Sequence, residues 1–262
     1  MSRNFELLQK LGKEQDLLSP TPADGNQKES APTPVPTVVV PSATSAGSPS
    51  ATLAAGSLEQ VNALAQQLFI IPAADAPRTV VFASTEPGTG CTWVCAHLAE
   101  VLASRVAGSV CLVDGNLRDP GLHQHFGVEN AGGLSDALLR LDPIRTFARS
   151  VALPNLWLIS AGPGGESVQA LLTSDRMRLR LTELRAEFDF VLVDSSALSV
   201  ANDAIALGSM SDGVVMVLKA NASRRQVARQ AIDDLQGGKA KVLGAVLNQR
   251  TFPIPDALYK KL

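Results

Sequence analysis

Aromatic residues are scarce in this chain of 262 residues: one tyrosine, two tryptophans and eight phenylalanines make up 4% of it, against 45% hydrophobic residues overall. Any core must therefore be mainly aliphatic. The three cysteines, Cys91, Cys95 and Cys111, contain no CxxC pair. That fits a reducing cytoplasm better than a disulfide framework. Basic charge is not in excess, with 23 Lys and Arg against 25 Asp and Glu and a net charge of −2. A general nucleic-acid binder would carry a basic surplus, so no nucleic-acid partner is expected. No apolar run approaches the ~18 residues of a membrane span, and the opening Met1-Ser-Arg-Asn-Phe-Glu-Leu-Leu lacks the apolar stretch of a secretion signal. A soluble, cytoplasmic chain is expected, reaching a membrane only through a partner.

Composition divides the chain in three. Residues 1–18 carry Phe5, Leu8 and Leu11 at helical spacing among charged positions, which predicts a short amphipathic helix. Residues 19–56 are rich in Pro, Ser, Thr, Ala and Gly and hold seven of the sixteen prolines. Such a stretch buries too little apolar surface to offset its ordering entropy, so a disordered linker is expected. The domain proper is expected over 57–262.

Within it, a helix is predicted over 59–69, and aliphatic runs then alternate with helical patterns. Strands are predicted at 79–84, 110–114, 156–160, 190–194, 213–218 and 242–247, and helices near 92–105, 167–187, 202–208 and 223–236. This alternation gives an α/β fold, a mostly parallel central sheet with helices on both faces. Arg176, Arg178, Arg180 and Arg185 lie off the apolar stripe of the 167–187 helix and read as a solvated face.

Thr85-Glu-Pro-Gly-Thr-Gly-Cys-Thr92 follows the first of these strands and opens a helix, which is the layout of a phosphate-binding loop. In such a loop backbone N–H groups cradle phosphates, a lysine neutralises charge and a Ser or Thr holds Mg²⁺. Here Cys91 stands in the lysine position. Asp114 and Asp194 each close an aliphatic strand, where sheets of this kind place ligands. Both also admit a plainer reading as hydrogen-bonding groups.

Three spaced elements together resemble the bacterial tyrosine kinases of capsule and exopolysaccharide export, within the deviant-Walker P-loop ATPases that include cell-division and partition proteins. Ala83–Thr92 is similar to that family's Ser-x-x-Pro-Gly-Glu-Gly-Lys-Ser/Thr loop. Cys111-Leu-Val-Asp-Gly-Asn-Leu-Arg-Asp-Pro120 is similar to its Asp-x-Asp-x-Arg-x-Pro motif, and Phe190-Val-Leu-Val-Asp-Ser-Ser196 to its Walker B run.

The resemblance implies ATP or ADP with Mg²⁺ as cofactor. It gives Gly88, Thr89, Gly90, Cys91, Thr92, Trp93 and Asn248 as nucleotide contacts. Thr92, Asp114 and Asp194 become the metal group, Asp114 and Asp194 the catalytic remnant, and Arg118 a support for the second motif. It further implies a membrane-embedded polysaccharide export or chain-length protein as partner, and a place at the inner face of the membrane.

The chain departs from the pattern. No cation lies in 85–92; Asn116 replaces the second acid, Ser195 and Ser196 replace Thr-Pro, and Trp93 replaces a small hydroxyl residue, where its indole is expected to crowd the phosphates. Glu59, Asn62 and Ala65 align with an oligomer-building Glu-x-x-Arg-x-x-Arg, so that motif is degenerate. Tyr259 stands alone where the family has a tyrosine cluster. A degenerate, regulatory or assembly component is the expectation. An active autokinase and a positioning ATPase are the alternatives.

The loop keeps two readings, a structural turn and weak phosphate binding through the backbone. Cys91 likewise reads as a plain buried residue or as a thiol activated by the helix N-terminus. Cys91, Cys95 and His97 invite a redox or metal grouping, but residue 97 lies off the line joining the two cysteines. His123 and His125 have no Cys or carboxylate at ligand spacing and read as surface residues rather than a zinc site.

Overall fold

A computed structural model describes residues 37–41, 55–71, 76–165 and 170–250. The amphipathic segment with Phe5, Leu8 and Leu11, most of the predicted linker, and Tyr259 lie outside the described residues. An eight-stranded sheet is built from β1 (Thr37–Pro41), β2 (Thr79–Ser84), β3 (Val110–Asp114), β4 (Arg149–Ser150), β5 (Leu156–Ile159), β6 (Phe190–Asp194), β7 (Gly213–Lys219) and β8 (Val242–Arg250), in the order β1-β8-β7-β2-β6-β3-β5-β4. Every pairing is parallel except that of β4 with β5 at one edge.

The aliphatic strands bury both faces, as parallel strands between helical layers must. Residues alternate between two cores. Val81, Val113, Val193 and Met216 pack on one side with α4 (Leu134–Leu139), α5 (Asp175–Glu187), α6 (Asp203–Ser209) and α7 (Arg225–Gly237). Val80, Phe82, Leu112, Leu192 and Val217 pack on the other with α1 (Ala55–Ala65) and α2 (Cys91–Arg105). A four-residue helix, α3 (Leu122–His125), follows β3.

Four details differ from the sequence reading. The predicted linker contains β1, whose Val38-Val39-Val40 run favours extended backbone and pairs with Val246 and Leu247 of β8. The helix predicted over 167–187 is interrupted: Ala170 and Leu171 are helical, the chain turns at 172–174, and helix resumes at Asp175, with the Thr173 and Ser174 hydroxyls donating back to the carbonyls of Ala170 and Leu171. That local bonding competes with helix continuation. The edge strand β4, antiparallel to β5, lies outside the predicted aliphatic runs.

Arg180 is the fourth. It is 4% exposed, not part of a solvated face. Its Nε donates to the Ala137 carbonyl at 2.8 Å and one Nη to the Asp142 carbonyl at 2.9 Å, while the other Nη reaches the Arg140 carbonyl. The rigid guanidinium fork thus satisfies carbonyls at the end of α4 that the helix itself leaves unpaired. Glu183 balances its charge. Replacing Arg180 by leucine is expected to cost about 2–4 kcal/mol, since buried carbonyls lose charged donors. Arg178→Ala, at an exposed position, is expected to fall within about 0.5 kcal/mol. Urea unfolding of both variants checks the contrast.

Candidate functional site

The carboxyl ends of β2, β6 and β3 lie side by side, and the three motifs meet there. Ser84 ends β2 and the loop follows. Gly88 (φ 76°) and Gly90 (φ 81°) take the left-handed conformation immediately before α2 begins at Cys91. Left-handed glycines leading into a helix N-terminus are the backbone form that holds an anion. A side chain at Gly90 would run into the Asn248 amide, so the close approach also demands glycine.

Asn248, on β8, donates from Nδ2 to the Thr89 carbonyl at 2.8 Å and is 3% exposed. Gln249, which the sequence reading did not single out, donates to the Gly88 carbonyl at 3.2 Å. Asn248, expected near a nucleotide base, is therefore a tether of the loop backbone in this structure.

Thr92 Oγ1 donates to Asp194 Oδ2 at 2.6 Å, linking the first turn of α2 to the end of β6. Asp194 is in direct register with Asp114 on β3, and both are fully buried. Asp114 accepts backbone N–H groups from Asn116 at 3.2 Å and from Gly121 and Leu122 at 3.1 Å each. Burial, then the Asp194 charge, raises the Asp114 carboxyl to about 7 despite those donors. Burial raises Asp194 to about 6, against the opposing bond from Thr92. Burial is the main reason both sit high, and at Asp114 the neighbouring Asp194 charge adds to it.

The donors offered here are the Thr92 hydroxyl and the Asp114 and Asp194 carboxylates, an all-oxygen set that suits Mg²⁺. Thr85 Oγ1, Thr89 Oγ1 and Asp194 Oδ1 are buried with no hydrogen-bond partner. Unpaired buried polar atoms are uncommon and need an explanation, and a metal–phosphate group placed against the loop would supply their partners. In shape and donor type the residues fit such a group. In charge they do not, because no Lys or Arg occurs in 85–92.

Cys91 is 7% exposed, and burial followed by the Asp194 charge holds its thiol well above the usual range. Burial thus works against activation by the helix N-terminus, and Cys91 sits in the structure as a buried core residue. Cys95 is raised for the same reasons.

Trp93 is half-buried and stacks on His97 with centroids 4.1 Å apart, so one face of the indole is taken up by an imidazole one turn along α2. Asn116 donates from Nδ2 to the Asp119 carbonyl at 2.7 Å, which an aspartate cannot do. Its amide is committed to its own loop. Arg118 pairs with Asp203 at 2.9 Å, and Ser196 donates to the same carboxylate at 3.1 Å, joining the second and third motifs. Asp203 was not anticipated, because its partners lie 85 and 7 residues away in sequence.

The chain is similar to several known proteins. The tyrosine-protein kinase YwqD of Bacillus subtilis is 31% identical over 171 residues, which are 65% of this chain and 72% of that protein. Two other curated relatives, putative tyrosine-protein kinases EpsB from Ralstonia, are far longer, and the aligned segment spans 22% of each. Among solved structures, the kinase domain of the Escherichia coli tyrosine kinase ETK superposes with a TM-score of 0.71 at 24% identity, over 76% of this chain and 78% of that one. The septum site-determining protein MinD of Pyrococcus horikoshii, complexed with Mg-ADP, gives 0.58 at 21% identity over 70% and 76%. No family model matches the chain.

The raised carboxyls make a signed prediction. Asp194 has a folded value of about 6 against an ordinary 3.8, so protonation favours the folded state. That contribution is fully present below pH 3.8 and is lost as the pH rises through 6. Asp194→Asn keeps an acceptor for Thr92 and removes the charge. In chelator it is expected to stabilise the chain by roughly 1–3 kcal/mol at pH 8, with the gain gone near pH 4. Denaturant unfolding at the two pH values checks it.

Proposed function

The chain belongs to the bacterial tyrosine-protein kinase family of deviant-Walker P-loop proteins, and from that premise we propose that it is a catalytically degenerate member. Its role on this reading is regulatory or in assembly, within exopolysaccharide or capsule biosynthesis or export. One observation carries the proposal: the position that needs a cation holds Cys91, a buried thiol kept neutral beside Asp194.

Phosphoryl transfer depends on positioning and on neutralising the transferred group. Positioning remains available. The loop backbone from Gly88 to Thr92 and the N-terminus of α2 would hold phosphate oxygens, and Thr92, Asp194 and Asp114 would hold Mg²⁺, which when bound supplies positive charge to the phosphates. Neutralisation by the protein is missing. Loss of one electrostatic donor elsewhere costs about 10²–10³ in rate, and a full charge is worth at least as much. The chain also has a single tyrosine, Tyr259, as a candidate acceptor. Nucleotide binding is accordingly weak and pH-dependent, falling as Asp114 and Asp194 take up protons below about 7 and 6.

The paired carboxylates and the three unpaired polar atoms around the loop favour a second reading, an active ATP-dependent autokinase that draws its cation from elsewhere. Calorimetric titration with Mg·ATP separates the two. On the degenerate reading the natural chain binds weakly and shows no turnover, and Cys91→Lys tightens binding at least tenfold. ATP hydrolysis or tyrosine phosphorylation by the unmodified chain would overturn it.

A cytoplasmic placement at the inner face of the membrane, through a membrane-embedded export or chain-length protein, belongs to the same proposal. No helix among the described residues is long and apolar enough to cross a membrane. The docking element is the amphipathic segment 1–18. Deleting it is expected to abolish co-purification of the membrane partner from the native cell while leaving the thermal unfolding midpoint of the remainder unchanged.

A further inference from the structure

Beside the phosphate loop, on the outer side of α2, three side chains meet that nothing in the nucleotide chemistry uses. His97 and Glu100 stand three residues apart on α2 and so share one face of it. His125, at the end of α3, folds back onto them. One ligand atom from each of His97, Glu100 and His125 lies within 4.8 Å of the other two, and His125 Nε2 is 3.8 Å from Glu100 Oε1. The two imidazoles meet edge to face with centroids 4.8 Å apart.

The surroundings prepare these groups as ligands. Nδ1 of His97 is 2.9 Å from the Trp93 carbonyl. Since a carbonyl only accepts, Nδ1 carries the proton and Nε2 presents its lone pair. This is the backbone bond that fixes the tautomer and ring orientation of metal-binding histidines. Trp93 stacks on one side of His97, and Phe126 lies edge-on to His125 at 4.8 Å, so an apolar wall backs the cluster. Burial pushes the His97 imidazole below its usual range, which keeps it in the neutral form that binds metal. His97 is 7% exposed, while the side chains of His125 and Glu100 are 23% and 34% exposed, so the cluster opens to solvent on one side.

We propose that His97, Glu100 and His125 form a three-ligand site for a Zn²⁺-class divalent ion, with its fourth position open to water. Two imidazoles and one carboxylate are a recognised zinc set, with ligand bonds of about 2.0–2.2 Å. Tetrahedral ligation at those lengths needs ligand atoms about 3.3–3.5 Å apart. The present spacing therefore closes by roughly 1 Å, within reach of rotation of the Glu100 and His125 side chains.

The ion fastens α3 to α2. The segment it pins includes Gly121 and Leu122, whose N–H groups hold Asp114, and a Cβ at Gly121 would press on the Thr92 methyl. Zinc here clamps the turn that supports the second motif without touching the phosphate loop. The sequence reading had placed His125 at the surface with no ligand partner. Its partners lie 25 and 28 residues earlier and meet it only through the fold.

The full-length reduced chain, stripped with chelator and then dialysed against ZnCl₂, tests this independently of nucleotide binding. One zinc per chain is expected, and His125→Ala and Glu100→Gln are each expected to weaken retention at least tenfold, with circular dichroism unchanged. Excess Mg²⁺, which suits the all-oxygen set at the strand ends, is expected to leave the zinc in place. Co²⁺ in place of zinc should show no thiolate charge-transfer band, which separates this cluster from Cys91, Cys95 and Cys111. Absence of bound zinc, retention unchanged by both His125→Ala and Glu100→Gln, displacement of the zinc by excess Mg²⁺, or a thiolate band would each overturn the assignment. Should His125→Ala fail to fold, the more exposed Glu100→Gln decides alone.

Discussion

Two carboxylates in register at the ends of adjacent strands, fully buried and with no cation beside them, set the terms for everything around them. Burying like charges together is costly unless partners are supplied. Asp114 finds three backbone N–H donors in the turn that follows β3, and Asp194 finds the Thr92 hydroxyl at the head of α2. The turn after β3, the first helical turn of α2 and the strand end of β6 are fixed in relation to one another by these bonds. The phosphate loop inherits its place from them.

The departures from the family pattern share an electrostatic sense. Cys91 brings no positive charge to the two acids, and burial raises both toward neutral pH. Asn116 removes a third negative charge from the same neighbourhood and gives its amide to the local turn. Ser195 and Ser196 turn their hydroxyls to the Phe82 carbonyl and to Asp203, binding strand ends and motifs together.

The sheet was legible because each of its main strands is a run of aliphatic residues bounded by turn formers, and the phosphate loop because glycine is obligatory where its backbone turns left-handed. β1 was hidden by the prolines around Val38-Val39-Val40. Arg180 was misread because helical periodicity cannot see carbonyls arriving from another helix end. The contact of Asn248 with Thr89 spans 159 residues and leaves no local signal in the sequence. His125, Arg118 and Asp203 owe their partners to tertiary approach alone.

Asn248 and Gln249 also connect the loop to the edge of the sheet. Both lie on β8, and β8 is the strand to which β1 is paired in parallel. Tension applied to the chain ahead of Thr37 would load that pairing in shear, the direction in which several backbone bonds share a force at once. Its anchor is the strand that grips the carbonyls of Gly88 and Thr89. In mechanical terms, the first described strand is a handle attached to the loop's own support.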